Sequence, residues 1–483
     1  MIQNLLIPRP FAIAIDDLGW MNGSNDGENE KEGPYRLGIK RKMMLNDYKA
    51  VVDLAKKTGV RLQGLFILGE MDRENICAKY PTTTYQREHW DNSENVSDLE
   101  FEMIDYVVKE SANLEFGLHG VGHEFWEVGQ SRRRAEWYNK EDKKPWAESE
   151  IINHVECFKL IMAQYGLTIE NGHSFPQSFV PCSYSFYWNP EAEYSLGAVL
   201  GKYGVKFANT DFREIPELNP PSGVNGGGFD HEVHVMNRFN YGNLWYELAK
   251  LPEVAVVNQG TDFIETHWTN LLAQDDFLQE EVTNKWVEYF KNVNKLPERY
   301  CAKNTHQHHS QWAYNQFVKV TNISEGKWEI DNSAMPEEYI SDFFPGNLVI
   351  KFPLSDCLHL SKAKSNDNNI AGYYEEESYG YIFLPPLKAK IYSLELKFSQ
   401  IKIQEIIWHS GTFNIYKGWS NNQFEVYVYG NQEVIIATSI VPVQVSSSNE
   451  NLKVVSFKNE NGNLTIRLEA KNFQGERGII SVV

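Results

Sequence analysis

Three short stretches of the chain carry residues whose types suit hydrolytic chemistry. Asp16 and Asp17 end the apolar run of "FAIAIDDLGW" (11–20), His119 and His123 flank "GVG" in "LEFGLHGVGHEFW" (114–126), and His267 follows an apolar run in "DFIETHWTN" (262–270). Two neutral imidazoles four residues apart can share one cation if the loop between them turns tightly, which Gly120 and Gly122 permit. The zincin helix is a different arrangement, because it needs a Glu directly after its first His, whereas Gly120 follows His119. One carboxylate with two histidines makes a divalent-metal site, and a further Asp and His supply the base and acid of a metal-assisted hydrolysis. Taken singly, each stretch has a plainer reading: a strand-end turn, two loop histidines bonded to carbonyls, and a rim histidine. Only a fold that gathers all three in space turns them into a site.

The pattern of elements supplies such a fold. Up to about residue 300, short apolar runs alternate with longer segments of helical periodicity, the signature of βα units around a parallel sheet or barrel. Strands are expected at 11–15, 61–68, 114–118, 204–208, 253–257 and 262–266, and helices at 45–59, 97–111, 147–166 and 275–294. In a parallel βα architecture the carboxyl ends of the strands deliver side chains from distant sequence to one face. All three stretches fall at such ends. After about residue 318 the texture changes to short alternating strands at 348–352, 392–398, 402–408, 423–430, 433–439, 464–470 and 478–483, separated by Asn, Gly and Ser. That pattern reads as an antiparallel sandwich. The expected organisation is an α/β barrel domain over 1–300 and an all-β sandwich domain over 318–483, with 295–317 between them. The sandwich reads either as a structural domain or as a carbohydrate-binding module.

Composition narrows the partners. With a formal charge of −19 over 483 residues, the chain lacks the clustered Lys and Arg that a nucleic-acid backbone requires, so no nucleic-acid partner is expected and a neutral or cationic ligand fits better. Five scattered cysteines, Cys77, Cys157, Cys182, Cys301 and Cys357, show no CxxC spacing, which points to buried thiols and away from a disulfide framework or thiolate zinc site. No apolar stretch is long enough for a membrane span, and "MIQNLLIPRP" lacks the features of a signal peptide. The chain as given therefore reads as cytoplasmic, or as exported if a signal has been removed.

The order of the three stretches resembles that of the polysaccharide deacetylase (NodB-homology) family, carbohydrate esterase family 4. The resemblance covers residues 8–290: an Asp-Asp at the first strand, H-x3-H at a later strand end and a late strand-terminal His. It implies a distorted (β/α)7 barrel, ahead of the all-β sandwich, and a divalent metal, most often zinc. By match to the family motifs, Asp17, His119 and His123 would be the metal ligands, Asp16 the general base and His267 the general acid. The chain departs from the family in three places. Its opening motif is "AIDD" where a Thr- or Ser-Phe-Asp-Asp is usual, and "IETHW" replaces a more apolar Leu-x-His run. Within "SFVPCSYSFYW" (178–188), Phe179 and Ser183 stand where the family's Arg-x-Pro-x-Gly has its arginine and glycine, while Pro181 matches. Arg213 or Arg238 could supply the missing cation from another strand, and the backbone of Cys182 or Ser183 could face an oxyanion.

The expected function is a metal-dependent hydrolase that removes acetyl groups from an acetylated carbohydrate. Two alternatives stand beside it: a metal-independent glycoside hydrolase on a similar barrel, and a catalytically inactive glycan-binding relative. Trp20, Phe125, Trp126, Tyr184, Trp188 and Trp268 read either as sugar-stacking rings or as packing. His173, His231 and His234 could line a cleft, and "THQHHSQW" (305–312), with His306, His308 and His309, reads as a solvated or interface turn.

Overall fold

The computed structural model describes residues 4–21, 39, 41–130, 133, 135–189, 191–214, 226–341, 344–354, 358–365, 370–376, 378–400, 407–408, 412–438 and 440–483. Cys357 and the expected strand residues 402–406 and 439 lie outside them. The chain divides into two compact units, one comprising 12–58 and 62–289 and the other 1–11, 59–61 and 290–483.

The first unit is built on a closed barrel of seven parallel strands. These are β1 (Arg9–Leu18), β2 (Leu62–Ile67), β3 (Leu114–Gly120), β4 (Ser178–Phe179), β5 (Phe207–Thr210), β7 (Val233–Asn240) and β8 (Phe263–His267). The ring runs β1-β2-β3-β4-β5-β7-β8 and returns to β1, every neighbouring pair parallel. A short β6 (Gly227–Asp230) lies antiparallel on β7, and β9 (Arg299–Cys301) pairs with the beginning of β1 over Arg9–Phe11. Strands buried on both faces read as nearly continuous apolar runs, and β2, buried at every residue, is apolar but for Gln63.

Helices α1 (Leu45–Thr58), α2 (Asp98–Lys109), α3 (Glu148–Gln164), α4 (Leu196–Tyr203) and α5 (Gln279–Asn294) fall between or after the strands. Their ends follow from local chemistry. Ser97 and Glu100 form a capping box at the start of α2, and the Ser195 hydroxyl accepts the Ala198 N–H at the start of α4. Within the barrel, Ala12, Ala14, Leu65, Val180 and Phe263 pack together as an apolar floor. Full burial of the Phe263 ring contributes about 2–3 kcal/mol. One polar pair sits at that level: Gln63, in register with Ala14, accepts from Asn209 at 2.9 Å. The candidate residues of β1 and β8 lie higher, toward the carboxyl ends.

Two expectations for this unit are corrected. Residues 253–257 do not form a strand: Val256–Asn258 is a single 3-10 turn, and Val257 is largely exposed, so its β-branched side chain has no sheet to cover. Conversely, β7 is absent from the expected strands, because His234, Arg238 and Asn240 interrupt its apolar pattern.

The second unit is dominated by antiparallel sheets from Lys319–Ser324 to Glu476–Val482. Val349, Phe383, Ile415, Val426, Ile466 and Ile480 belong to one apolar core, an arrangement compatible with a sandwich. Residues 305–312 begin helix α6 (Thr305–Phe317) and are almost wholly buried, which corrects the reading of a solvated turn. Two of its polar side chains are matched by backbone groups: the His306 ring meets the Phe344 carbonyl at 2.9 Å, and Gln311 bonds the carbonyls of Pro8 and Val349 and the N–H of Val349. Among the described residues, no helix is long and apolar enough to cross a membrane.

Candidate metal centre

A cavity of about 500 Å³ opens at the carboxyl ends of the barrel strands. Asp16, Asp17, His119, His123 and His267 all line it. Parallel register explains how β1 and β8 contribute together: Ala12 pairs with Phe263, Ala14 with Glu265 and Asp16 with His267. With a side-chain period of two, the residues above the apolar floor are Asp16 on one strand and Glu265 then His267 on the other. Asp17 should point away on the same rule. Instead its backbone is left-handed, φ 69°, within an irregularity in the β1–β2 register between Ile15 and Leu18. That bulge returns the second carboxylate to the cavity.

The histidine loop is held from below. Val121 and His123 donate their backbone N–H groups to the two oxygens of Glu136, each at 2.9 Å, and the His154 ring bonds the same carboxylate at 2.8 Å. Glu136 and His154 are wholly buried. A Cβ on Gly120 would collide with Glu136 Oε2, and one on Gly122 with the Thr83 carbonyl, so glycine is required by close approach at both places. His119 Nδ1 meets the Val180 carbonyl at 2.8 Å, which turns its Nε2 toward Asp17 Oδ1, 3.4 Å away. His123 has φ 69°, and its ring lies 5.6 Å from that of His119 and 5.4 Å from Trp20.

On the other side of the cavity, Arg238 from β7 grips Asp16 with two parallel bonds, Nη1 to Oδ1 at 2.8 Å and Nη2 to Oδ2 at 2.7 Å. Its Nη2 also lies 3.5 Å from Glu265. The remaining oxygen of Glu265 accepts from the Tyr184 hydroxyl at 2.8 Å and from Asn240 at 2.9 Å, and sits 3.7 Å from His267 Nε2. His267 Nδ1 meets the Asn243 carbonyl at 2.9 Å, so Nε2 faces inward, 4.0 Å from Asp17 Oδ2. Arg238 therefore brings the cation that Phe179 does not. Phe179 is buried against Trp137, and Arg213 pairs with Asp211 over the Phe239 ring at the surface.

The electrostatics of the site are set by burial and by the pairing of Asp17 with the histidines. Burial raises the Asp17 carboxyl, but the His119 imidazole and the neighbouring rings of His267 and His123 outweigh it and hold the group below its ordinary value. Burial pushes His123 down to about 3, so its imidazole is neutral. For His119, burial is outweighed by Asp16 and Asp17, which raise it. Asp17 Oδ1 is buried without a hydrogen bond, and its 3.4 Å separation from His119 Nε2 approximates the roughly 3.3 Å between two ligands on one tetrahedral ion with bonds of about 2.0 Å. The Asp17–His119 pair is thus spaced to share a divalent metal.

Two tighter groupings also occur. His119, His123 and Cys182 offer ligand atoms within 4.8 Å of one another, as do Asp16, Glu265 and His267. Burial, with Glu136 and Asp17 nearby, pushes the Cys182 thiol well up, and its Sγ donates to the His119 carbonyl at 3.3 Å, so the thiolate that a metal needs is disfavoured. In the second group, Arg238 already occupies the position a cation would take on Asp16.

Sequence reading misses Glu265 and Glu136. It offers Tyr184 as a stacking ring, whereas the hydroxyl makes the contact described above. Trp188 and Trp268 are packing residues, Trp268 against Tyr48 and Trp188 against Phe186, and Phe125 stacks on Trp146. Trp245 lines the cavity instead. His173, His231 and His234 do not line it, and His231 bonds Asp230 and Ser195. No protein-family model matches the chain, and no curated protein matches it.

Proposed function

We propose that the protein is a metal-dependent deacetylase of the polysaccharide deacetylase type, acting on an acetylated carbohydrate on a distorted (β/α)7 barrel. The observation that carries this reading is the arrangement in one cavity of Asp17, His119 and His123 beside an Arg238-gripped Asp16 and an inward-facing His267. Asp17, His119 and His123 would hold the metal, zinc being the best match to a carboxylate-and-imidazole set. When bound, such an ion acidifies water and polarises an acyl oxygen.

The chain's own residues do the rest. Asp16, fixed by two bonds from Arg238, accepts a proton from the attacking water as its oxygen bonds to the acetyl carbon. Arg238 keeps the carboxylate oriented. His267 presents Nε2 to the cavity because Nδ1 is engaged by the Asn243 carbonyl, and it returns a proton to the leaving nitrogen or oxygen as the acyl bond breaks. Water and the acetylated sugar are consumed, acetate and a free amine or hydroxyl released. The open cavity, with Trp245 and Leu244 on its wall, suits a sugar ring entering from solvent.

The test is acetate release from N- and O-acetylated oligosaccharides by zinc-loaded protein, with reducing ends measured in the same samples. Acetate from the parent and none from Asp16→Asn supports the proposal. New reducing ends without acetate would instead indicate a glycoside hydrolase, and glycan binding without either product an inactive relative.

A further inference from the structure

Glu265 has no counterpart in the deacetylase pattern, where the residue two before the late histidine is apolar. It is 2% exposed, lines the cavity and connects several parts of the site through one carboxylate. The partner that depends on it most is Tyr184. Ser183 and Tyr184 are consecutive non-glycine residues with left-handed backbone, φ 54° and 59°, and both line the cavity. Such a pair is strained and persists only where surrounding contacts over-determine it. Three side-chain contacts with other elements are seen among the described residues: the Tyr184 hydroxyl on Glu265 at 2.8 Å, Thr210 Oγ1 on the Tyr184 carbonyl at 3.2 Å and Lys140 Nζ on the Ser183 carbonyl at 3.1 Å. Of these three, the first alone is made by the tyrosine side chain. The Tyr184 ring also stands 5.6 Å from the guanidinium of Arg238, whose Nη2 Glu265 approaches from its other oxygen.

We propose that Glu265 is a positioning residue that latches the strained Ser183–Tyr184 turn to the barrel and steadies Arg238 against the base. The inference rests on the deacetylase reading for its catalytic consequence, but the latch itself does not. The approach of Glu265 to the proposed acid, 3.7 Å from Oε1 to His267 Nε2, is longer than a hydrogen bond. Glu265 acts on the wall that the acyl group must meet and on the guanidinium that aims Asp16, so its loss misplaces reacting groups more than it weakens sugar binding.

The test uses full-length, zinc-loaded Tyr184→Phe, Glu265→Leu, the double variant and Glu265→Gln, which keeps an oxygen acceptor for Tyr184 and Asn240. Tyr184→Phe and Glu265→Leu should each lower kcat for acetate release about tenfold or more, with KM and zinc affinity within about twofold of the parent. The double variant should be no more than about twofold slower than Glu265→Leu, since both substitutions open one latch. Glu265→Gln should recover most of the loss. Independently of any reaction, hydrogen exchange at the amides of 182–186 should be faster in Tyr184→Phe than in the parent. Parental exchange in Tyr184→Phe, fully additive losses, or a loss confined to KM would each overturn the latch. Absence of acetate release by the parent would overturn the deacetylase reading alone, with hydrogen exchange still deciding on the latch.

Discussion

Asp16 and Asp17 are consecutive residues of one strand, yet both carboxylates line the same cavity, because the left-handed backbone of Asp17 cancels the alternation that would send it to the opposite face. The two are then divided in their partners. Asp16 takes a guanidinium in a two-bond grip, whereas Asp17 keeps one buried oxygen without a hydrogen bond, turned toward the His119 imidazole. A carboxylate committed to Arg238 is a poor ligand and a well-aimed base. A carboxylate left without a donor beside His119 is the reverse.

Asp17→Asn tests that division cleanly, because Asn tolerates left-handed backbone and keeps the shape while removing the charge. Zinc affinity, measured by competition with a chromophoric chelator, should fall about a hundredfold or more, since an anionic ligand is lost outright. Without metal, stability to urea should stay within about 1 kcal/mol of the parent. Saturating zinc should raise the parent's Tm, and chelation should reverse the rise, whereas the variant's Tm should not respond. A variant that binds zinc as the parent does would remove Asp17 from the ligand set.

Arg238→Met should be the most damaging single change at the site. It leaves Asp16 and Glu265 buried together with their shared cation gone, at a cost of about 3–5 kcal/mol in urea unfolding. Arg238→Lys should lose less stability but still slow acetate release, since an ammonium cannot reproduce two parallel bonds. Equal rates for Lys and Arg would mean that the grip on Asp16 has no catalytic role.

Much of this is legible in the sequence where burial and pattern agree. Strands β1, β2 and β3 are largely apolar and β8 opens on Phe263 and Ile264, and the candidate residues stand out because they fall toward the ends of those strands. Legibility fails where the site itself replaces apolar residues with polar ones. In β7, "VHVMNRFN" hides a strand because Arg238 and Asn240 point at the cavity, and β4 is too short, at two residues, to show a period. Glu265 is within reach of the rule that residues two apart on a strand share a face, since it stands two before His267. Glu136 is not, because its role depends on a loop closing over it. Helix α6 shows the converse error: a His- and Gln-rich stretch reads as solvated, yet it is buried, with His306 and Gln311 bonded to buried backbone.

In the second unit, the Lys351 ammonium meets the carbonyls of Asn294, Leu296 and Arg299 at 2.6, 2.7 and 2.9 Å, so a buried cation satisfies the chain end of α5. Lys351→Met removes the donor while filling similar volume and leaves three carbonyls to find other partners. The expected loss is about 3 kcal/mol or more in denaturant unfolding, with zinc affinity unchanged. An unchanged midpoint would show that water replaces the ammonium at no cost.

Gly120 links the stability of the barrel to the geometry of the metal ligands. An alanine there drives a methyl group into Glu136 Oε2, and that carboxylate cannot swing aside without releasing the Val121 and His123 N–H groups and the His154 ring. Either the loop lifts, carrying His123 away from His119, or the carboxylate moves and leaves buried donors unpaired. Both routes cost about 3 kcal/mol, and both should weaken zinc binding about tenfold or more. Gly201→Ala in α4 is the control, because its added Cβ meets only ordinary contacts and a helical alanine favours folding by roughly 0.5–1 kcal/mol. If Gly120→Ala matches the parent in urea midpoint and zinc affinity, Glu136 does not set the histidine loop, and the placement of His123 must be attributed to its packing on Trp20.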